Sequence, residues 1–259
     1  MGKRLNSPVF ELGDSAEVLK EYDSDLVHLV WTSPPYLNQR LGDEKPEWDS
    51  LEGYLKSMAS IMGQCIRILR PAHVLAINIG KDTTCDLTAF FSCMLADFGL
   101  KYIDTICWDR HQATGTPRSW HMKDGRYYPS LTWEPILIYQ KPPLTDTVGR
   151  PLSKDEFPEF EFADLPFIES MCGTNLWTVA AQEDRNNWHP ASFPLTLAKS
   201  IIRCYTKRGQ YVLDPFGGSG TTGKAAVELG RDYLLVERVE EYYNKAVKEL
   251  SSMNLGLGL

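Results

Sequence analysis

Apolar and polar positions follow two different periods along the chain, and stretches of the two kinds alternate. A period of two indicates short buried strands, whereas spacings of three and four residues indicate helices. The period of two predicts strands at 8–12, 26–32, 73–79, 101–108, 133–140, 211–214 and 233–237. The helical spacing predicts helices at 15–21, 51–69, 87–97, 194–206, 221–229 and 240–251. This order predicts an α/β fold, a doubly wound and mostly parallel sheet with helices on both faces.

Two stretches interrupt the alternation. Residues 109–131 are polar and rich in glycine, proline and histidine, which predicts a long loop. Residues 142–188 lose periodicity and carry many prolines and acidic residues. A stretch of that length without a pattern is usually functional or forms a small inserted domain. We therefore expect 1–141 and 189–259 to build the sheet, with 142–188 as an insertion.

The composition is that of an ordinary globular protein. Of 259 residues, 43% are hydrophobic and 24% are charged, and no apolar run approaches the roughly 18 residues of a membrane helix. Residues 1–10 lack the apolar core of a signal peptide. The six cysteines form no CxxC pair and show no metal-ligand spacing with histidine. We expect a cytoplasmic protein with reduced cysteines, without a metal and without membrane attachment.

Charge is distributed unevenly. A net charge of -7 argues against a surface that is basic throughout, as phosphate neutralisation would require. An acidic enzyme can nevertheless keep a basic cleft, and basic residues concentrate between 110 and 126. Candidate contacts to nucleic acid there are Arg110, Arg118, Lys123 and Arg126 for phosphates, and Trp120 for stacking. The alternative is a solvated charged face, for this stretch and for a second basic group, Lys199, Arg203, Lys207 and Arg208.

A glycine-rich turn follows the predicted strand 211–214 and precedes the helix predicted from Thr221. The glycines allow the backbone to approach a ligand, and the helix N-terminus suits an anion. Glu237 ends the next strand about twenty residues on, where an acid can hold ribose hydroxyls. The alternative is a turn that serves packing only. The predicted ligand is a nucleoside, bound by Asp214, Pro215, Phe216, Gly217, Gly218, Ser219, Gly220, Thr221 and Glu237.

The length of chain after the turn narrows the choice of nucleoside. A dinucleotide needs two strand–helix–strand halves, whereas the chain leaves room for only one after Gly218. S-adenosylmethionine fits a single half, because its methionine tail carries a carboxylate for the glycine turn and its ribose suits the acid. We therefore predict S-adenosylmethionine as the cofactor. An NAD-linked oxidoreductase is the main alternative from another enzyme class.

The predicted strand 26–32 runs into a second distinctive segment, Thr32-Ser33-Pro34-Pro35-Tyr36. Proline is rigid and has no N–H, so a row of carbonyl acceptors lies beside the Ser33 hydroxyl. Acceptors at Ser33 and Pro34 would bind both N–H groups of an exocyclic amine and free its lone pair for attack. Tyr36 offers a flat face to a base taken out of a duplex. The alternative is a proline turn with a packed tyrosine.

Together the two segments resemble the amino-group DNA methyltransferases. TSPPY precedes DPFGGSGTT, an order similar to that of the beta class, and the resemblance covers roughly residues 9–250. It implies a Rossmann-like methyltransferase fold in circularly permuted order, with S-adenosylmethionine as cofactor and double-stranded DNA as substrate. Other residues that match the family's cofactor-site motifs are Asp14, Thr32, His189, Pro190, Ser192 and Phe193.

The resemblance also implies a role for each part of the chain. It makes 1–141 the catalytic half, with 109–131 as a loop that faces DNA. It makes 142–188 the target-recognition segment and 189–259 the cofactor-binding half. Residues 133–139 resemble the segment that packs near the target base in this family.

The implied reaction is direct, in-line methyl transfer to a base rotated out of the double helix. In the family Ser-Pro-Pro-Tyr goes mainly with cytosine N4 and Asp-Pro-Pro-Tyr mainly with adenine N6, so Ser33 favours N4, with N6 as the alternative. A ring-carbon methyltransferase would need a Pro-Cys loop, and no cysteine here follows a proline. An RNA or protein-amide methyltransferase and a non-catalytic DNA-binding module are weaker alternatives. The sequence leaves open a cognate restriction endonuclease, and the choice between monomer and homodimer.

Overall fold

The computed structural model describes residues 2–35, 37, 48, 50–80, 85–110, 121–123, 126–128, 133–145, 164–171, 173–180 and 192–256. Of residues 121–123 and 126–128 it describes the backbone alone. Among the helices in these ranges, none has both the length and the apolar character that crossing a bilayer requires.

A single eight-stranded sheet forms the centre of the molecule. Its strands are β1 (Val9–Leu12), β2 (Val27–Thr32), β3 (Leu69–Asn78), β4 (Lys101–Asp109), β7 (Trp133–Gln140), β8 (Leu176–Thr178), β9 (Tyr211–Asp214) and β10 (Asp232–Glu237). Two further strands, β5 (His121–Lys123) and β6 (Arg126–Tyr128), pair as a separate antiparallel hairpin. The order across the main sheet is β1-β10-β9-β2-β3-β7-β4-β8. Of these strands, β7 alone runs antiparallel to its neighbours, which confirms the predicted mostly parallel sheet.

Helices cover both faces of the sheet, as predicted. They are α1 (Ser15–Val18, continued by a 3-10 turn at Leu19–Glu21), α2 (Leu51–Ile68), α3 (Leu87–Asp97), α4 (Leu165–Met171), α5 (Leu195–Tyr205), α6 (Thr221–Glu228) and α7 (Glu240–Gly256). Side chains of β2 alternate between two apolar cores, because neighbouring residues of a strand point to opposite faces. Val30 packs in the core that contains α2 and α3, whereas Leu29 and Trp31 pack in the core that contains α5 and α6.

The junction between α2 and β3 differs from the prediction. We expected a helix to residue 69, ended by Pro71, and a strand from 73, but β3 begins at Leu69 and includes Pro71. The pairing of β2 with β3 shifts register there, and an irregular pair can accommodate a proline that donates no hydrogen bond. Lys141 Nζ closes the helix end by donating to the carbonyls of Ile66 (2.9 Å) and Leu69 (2.6 Å).

Both stretches without a predicted element contain short ones. The hairpin of β5 and β6 lies within 109–131, so the prediction of a loop throughout is wrong for those strands. Strand β8, within 142–188, pairs in parallel with β4 at the edge of the main sheet. Helix α4 is held by Asp164, which accepts from Arg231 at 2.9 Å and from Arg203 at 3.3 Å. Elements of three residues are too short for a period to be recognised.

Candidate active site

Four neighbouring parallel strands end at one edge of the sheet. They are β10, β9, β2 and β3, and their last residues are Glu237, Asp214, Thr32 and Asn78. In open α/β sheets, ligands bind beyond the carboxyl ends of the strands. The glycine-rich turn continues from β9, and the Ser33–Pro35 segment continues from β2. The two segments singled out in the sequence therefore leave adjacent strands at the same edge.

A buried carboxylate joins these two segments. Asp214 is 2% exposed and accepts from the Thr32 hydroxyl at 2.7 Å, the Thr222 hydroxyl at 2.6 Å and the Phe216 amide at 3.1 Å. Its partners belong to the end of β2, to the start of α6 and to the turn itself. Asp214 therefore holds the catalytic segment, the turn and the helix in one fixed arrangement.

Burial raises the pKa of the Asp214 carboxyl to about 7. The hydrogen bonds from Thr222, Thr32 and the Phe216 amide oppose the increase, since they stabilise the charged form, whereas the negative charge of Glu237 adds to it. The charge at the centre of the site therefore changes within the neutral pH range.

The glycine-rich turn packs tightly against β10 and β1. The Gly217 amide donates to the Val236 carbonyl at 2.8 Å, and the Gly220 amide donates to the Gly217 carbonyl at 2.8 Å. A Cβ at Gly217 would lie 2.9 Å from the ring of Phe10. Gly218 and Gly220 have positive φ angles of 48° and 72°, a region that favours glycine. The backbone path of the turn therefore depends on glycine.

The Glu237 carboxylate fixes the other side of this turn. Its two oxygens accept from the Gly218 amide at 2.8 Å and from the Val239 amide at 2.7 Å, and the residue is 9% exposed. A carboxylate has about four lone-pair sites, so two acceptor positions are left for hydroxyl groups of a ligand. This donor set fits the ribose of a nucleoside.

The segment Gly13–Ser15 lies against the same turn. The Gly13 amide donates to the Glu237 carbonyl at 2.9 Å, and the Ser15 hydroxyl donates to the Pro215 carbonyl. Asp14 caps α1 by accepting from the Ala16 amide at 2.8 Å, and its side chain is exposed. The structure thus brings Asp14 next to Glu237.

On the catalytic side, the Ser33 hydroxyl donates to Asn78 Oδ1 at 3.3 Å. Pro34 is buried and Pro35 is half-buried, so both ends of this proline pair are held by packing. Tyr36 lies outside the described residues. The sequence analysis did not identify Asn78; a polar residue at the end of an otherwise apolar strand was the signal that could have found it.

The remaining predicted cofactor residues lie on or near this edge. Ser219 and Thr221 are buried, and their hydroxyls are 2.9 Å apart. The ring of Phe193 stands 4.9 Å from the ring of Trp31, the residue before Thr32, which places the segment of Ser192 and Phe193 beside β2. His189 and Pro190 lie outside the described residues.

The predicted DNA contacts have a different outcome. Arg110 donates to the buried Glu134 at 2.6 Å and lies over the ring of Trp108, so it already has protein partners. Arg118 and Trp120 lie outside the described residues, whereas Lys123 and Arg126 pair through their backbones in the β5–β6 hairpin.

The second basic group is engaged in ion pairs at two of its members. Lys199 pairs with Glu228 and Arg203 with Asp164, which agrees with a structural role for these two. Within the described ranges no three histidine, cysteine, aspartate or glutamate side chains gather as metal ligands.

Comparison with known proteins gives the same architecture and motifs. A family model described as DNA methylase matches residues 27–248. The type II beta methyltransferase M.BslI from Bacillus sp. (strain NEB-606) is 26% identical over 247 residues, which make up 89% of this chain, and the aligned part is only 26% of M.BslI. The chain thus spans about a quarter of that relative.

Two solved structures match nearly the whole chain. TTHA0409 from Thermus thermophilus, a DNA modification methylase complexed with S-adenosyl-L-methionine, is 26% identical, with a TM-score of 0.69, over 94% of this chain and 95% of that protein. The cytosine-N4-specific PvuII DNA methyltransferase has a TM-score of 0.72 at 20% identity, over 96% of this chain and 92% of that protein, and shows the shared fold. With its family model covering most of the sequence, its permuted motifs and its methyltransferase fold, the chain belongs to the beta class of S-adenosylmethionine-dependent amino-group DNA methyltransferases.

Proposed function

We propose that this protein methylates the exocyclic N4 of cytosine in double-stranded DNA. The observation that carries the proposal is the 2.7 Å hydrogen bond from Thr32 to Asp214, because it ties the catalytic segment to the turn that serves the cofactor. An acceptor hydroxyl at Ser33 and the cofactor turn consequently share one edge of the sheet. Chemistry between two bound molecules needs this proximity, and fixing both reactants contributes most of the acceleration.

The residues of the cofactor side suit the parts of S-adenosylmethionine. Glu237 has acceptor positions for the ribose hydroxyls, Asp14 lies beside it for the adenosine, and Gly217–Gly220 receives the methionine end together with Ser192 and Phe193. When bound, the cofactor supplies an electrophilic methyl group on a sulfonium. Asp214, whose oxygens are already occupied by protein donors, supports the turn from below rather than contacting the ligand.

The catalytic side supplies acceptors for the target amine. The Ser33 hydroxyl and the Pro34 carbonyl take the two N–H groups, and these hydrogen bonds strengthen as the nitrogen becomes positive in the transition state. The base enters from outside the duplex, since the amine of a stacked base cannot reach the foot of a cleft. No covalent intermediate with the protein is required.

The choice of cytosine rests on Ser33. In the family a serine before Pro-Pro-Tyr goes mainly with cytosine, and an aspartate mainly with adenine. Both side chains can accept from an amine, so the chemistry permits N6 of adenine as the second candidate. We propose that 142–188 selects the target sequence and that the enzyme modifies sites also recognised by a restriction endonuclease, in keeping with the type II designation of M.BslI.

Mass spectrometry of nucleosides tests both the substrate and the atom. DNA is incubated with the protein and methyl-labelled S-adenosylmethionine, digested, and searched for labelled N4-methyldeoxycytidine, which is the expected product. Labelled N6-methyldeoxyadenosine would contradict the choice of base. Label found only in RNA or protein under matched conditions would contradict DNA as the substrate. A Ser33→Ala sample separates product made by this protein from product made by a contaminating enzyme.

A further inference from the structure

Asn78 is a buried polar residue in an apolar setting. It ends β3, it is 2% exposed, and its chain neighbours Ile77 and Ile79 are buried. An amide in such a place is unfavourable unless its donors and acceptor are used. Its nitrogen Nδ2 donates to the Pro135 carbonyl at 3.4 Å, and its oxygen Oδ1 accepts from the Ser33 hydroxyl at 3.3 Å. The side chain thus links the catalytic segment to β7.

The Pro135 carbonyl determines which way the amide faces. A carbonyl only accepts, so the NH2 group of Asn78 has to point towards it and the oxygen has to point towards Ser33. The carbonyl itself is held by the sheet, because it also accepts from the Ile79 amide at 3.0 Å. Asn78 therefore presents a fixed acceptor to Ser33, and the Ser33 hydroxyl must donate to it.

We propose that Asn78 is a positioning residue that commits the Ser33 hydroxyl to the role of acceptor; this inference rests on the function proposed above for Ser33. With its proton directed at Asn78, the hydroxyl turns its lone pairs towards the incoming amine. A hydroxyl without this partner would be free to donate to a ring nitrogen of the base instead. An amide takes up no proton near neutral pH, so Asn78 acts through orientation and removes no proton from the amine.

The same arrangement selects the residue type at position 33. A carboxylate there would set its oxygens against Asn78 Oδ1, and two acceptors repel each other. Reversing the amide would set its oxygen against the Pro135 carbonyl instead. The pair of Asn78 and Pro135 therefore matches a serine and opposes an aspartate, so Ser33→Asp should be inactive in this protein on either base.

A double-mutant cycle tests the coupling. Single-turnover methyl transfer to the DNA that the enzyme methylates is measured for the wild type, Asn78→Leu, Ser33→Ala and the double variant. Leucine matches the shape of asparagine but offers no acceptor. We expect Asn78→Leu to slow transfer by about 10- to 100-fold when Ser33 is present and by less than about twofold when position 33 is alanine. A residue needed only for packing would slow both backgrounds alike, which would overturn the proposal.

A conservative variant keeps the test decisive if Asn78→Leu fails to fold. Asn78→Asp retains an acceptor towards Ser33 whether or not it is protonated, and transfer is expected within about threefold of the wild type. A folded Asn78→Asp that binds S-adenosylmethionine but is as slow as Ser33→Ala would overturn the role of the acceptor. Asn175→Leu is the matched control, because the Asn175 amide also donates to a carbonyl, that of Thr105 at 3.4 Å, away from Ser33.

The cycle separates this inference from the function on which it rests. Wild-type rates for Ser33→Ala would overturn the proposed role of Ser33, and that of Asn78 with it. A slow Ser33→Ala beside a fast Asn78→Leu would overturn the role of Asn78 alone. The identity of the methylated base does not enter the comparison, because every variant is measured on the same DNA.

Discussion

The two sides of the site are built to different tolerances. On the cofactor side, Asp214 and Glu237 accept hydrogen bonds from hydroxyls and amides over 2.6–3.1 Å. On the catalytic side, the two hydrogen bonds of Asn78 measure 3.3 and 3.4 Å. The first set joins a charged or titrating carboxylate to rigid donors, and such bonds are short. The second joins neutral groups, and its serine belongs to a segment that continues beyond the sheet.

This difference indicates where each side obtains its precision. The cofactor side is complete within the protein, because its acceptors are filled and its turn is fixed by glycines. The catalytic side has a hydroxyl and a carbonyl that await a donor, and hydrogen bonds at such positions commonly tighten only in the reacting complex. Substitutions on the catalytic side should therefore change the rate of transfer, whereas substitutions on the cofactor side should change binding and stability.

The largest effect is expected for Ser33→Ala. It removes an acceptor that stabilises the developing charge, so single-turnover transfer should slow by about 100- to 1,000-fold. Affinity for S-adenosylmethionine, measured by calorimetry, should stay within about twofold, because no cofactor group depends on this hydroxyl. Equal losses of rate and affinity would break the division between the two sides.

Glu237→Gln should weaken the cofactor side next. One carboxylate oxygen becomes an NH2 group that faces a backbone amide, either Gly218 or Val239, and loses an acceptor for the ribose. Loss of hydrogen bonds to a charged group should lower S-adenosylmethionine affinity by about 10- to 100-fold. Calorimetric titration measures it, with Glu228→Gln as a control that removes an ion pair elsewhere. An unchanged dissociation constant would show that the ribose does not rely on Glu237.

Gly217→Ala probes the packing of the turn. The new methyl group would meet the Phe10 ring at 2.9 Å and the Val236 carbonyl at 3.2 Å, so overpacking should cost about 1–3 kcal/mol of unfolding free energy. Adding Phe10→Leu should recover part of that loss, since it removes the ring. Urea denaturation measures both. A Gly217→Ala protein as stable as the wild type would mean that the turn relaxes freely.

The smallest effect concerns pH and Asp214. Its pKa is raised to about 7, so the protonated form favours folding. This contribution is complete below the unfolded pKa of about 4 and is lost as the pH rises through about 7. The side-chain amide of Asp214→Asn does not ionise, so the melting temperature of the variant should gain on that of the wild type by on the order of 5 °C between about pH 5 and pH 8. Parallel melting curves across that range would contradict the buried charge.

Much of this site was readable in the sequence, for reasons that are local. Glycines at 217–220 and prolines at 34–35 restrict the backbone in ways that few neighbours can override. The apolar strands before them place both segments at strand ends. Asp214 was found as well, although its contacts show support for the turn where direct cofactor binding was expected.

What the sequence did not reveal depends on partners far apart in the chain. Asn78 gains its meaning from Ser33 and Pro135, which meet it only because β2 and β7 flank β3. Arg110 looked like a free cation until its ion pair with Glu134 was visible. Strand β8 has three residues and acquires its identity from β4. Such pairings are set by tertiary structure, which no local pattern records.

The bond between Thr32 and Asp214 spans 182 positions of the chain and has no counterpart in the covalent connection of β2 and β9. The two strands need to lie side by side, but nothing in the chemistry asks which of them is synthesised first. Ancestral genes could therefore be cut and rejoined in a surface loop without disturbing the edge where the reaction takes place. The arrangement of motifs along the polypeptide is a record of gene history, whereas adjacency in the sheet is the property under selection.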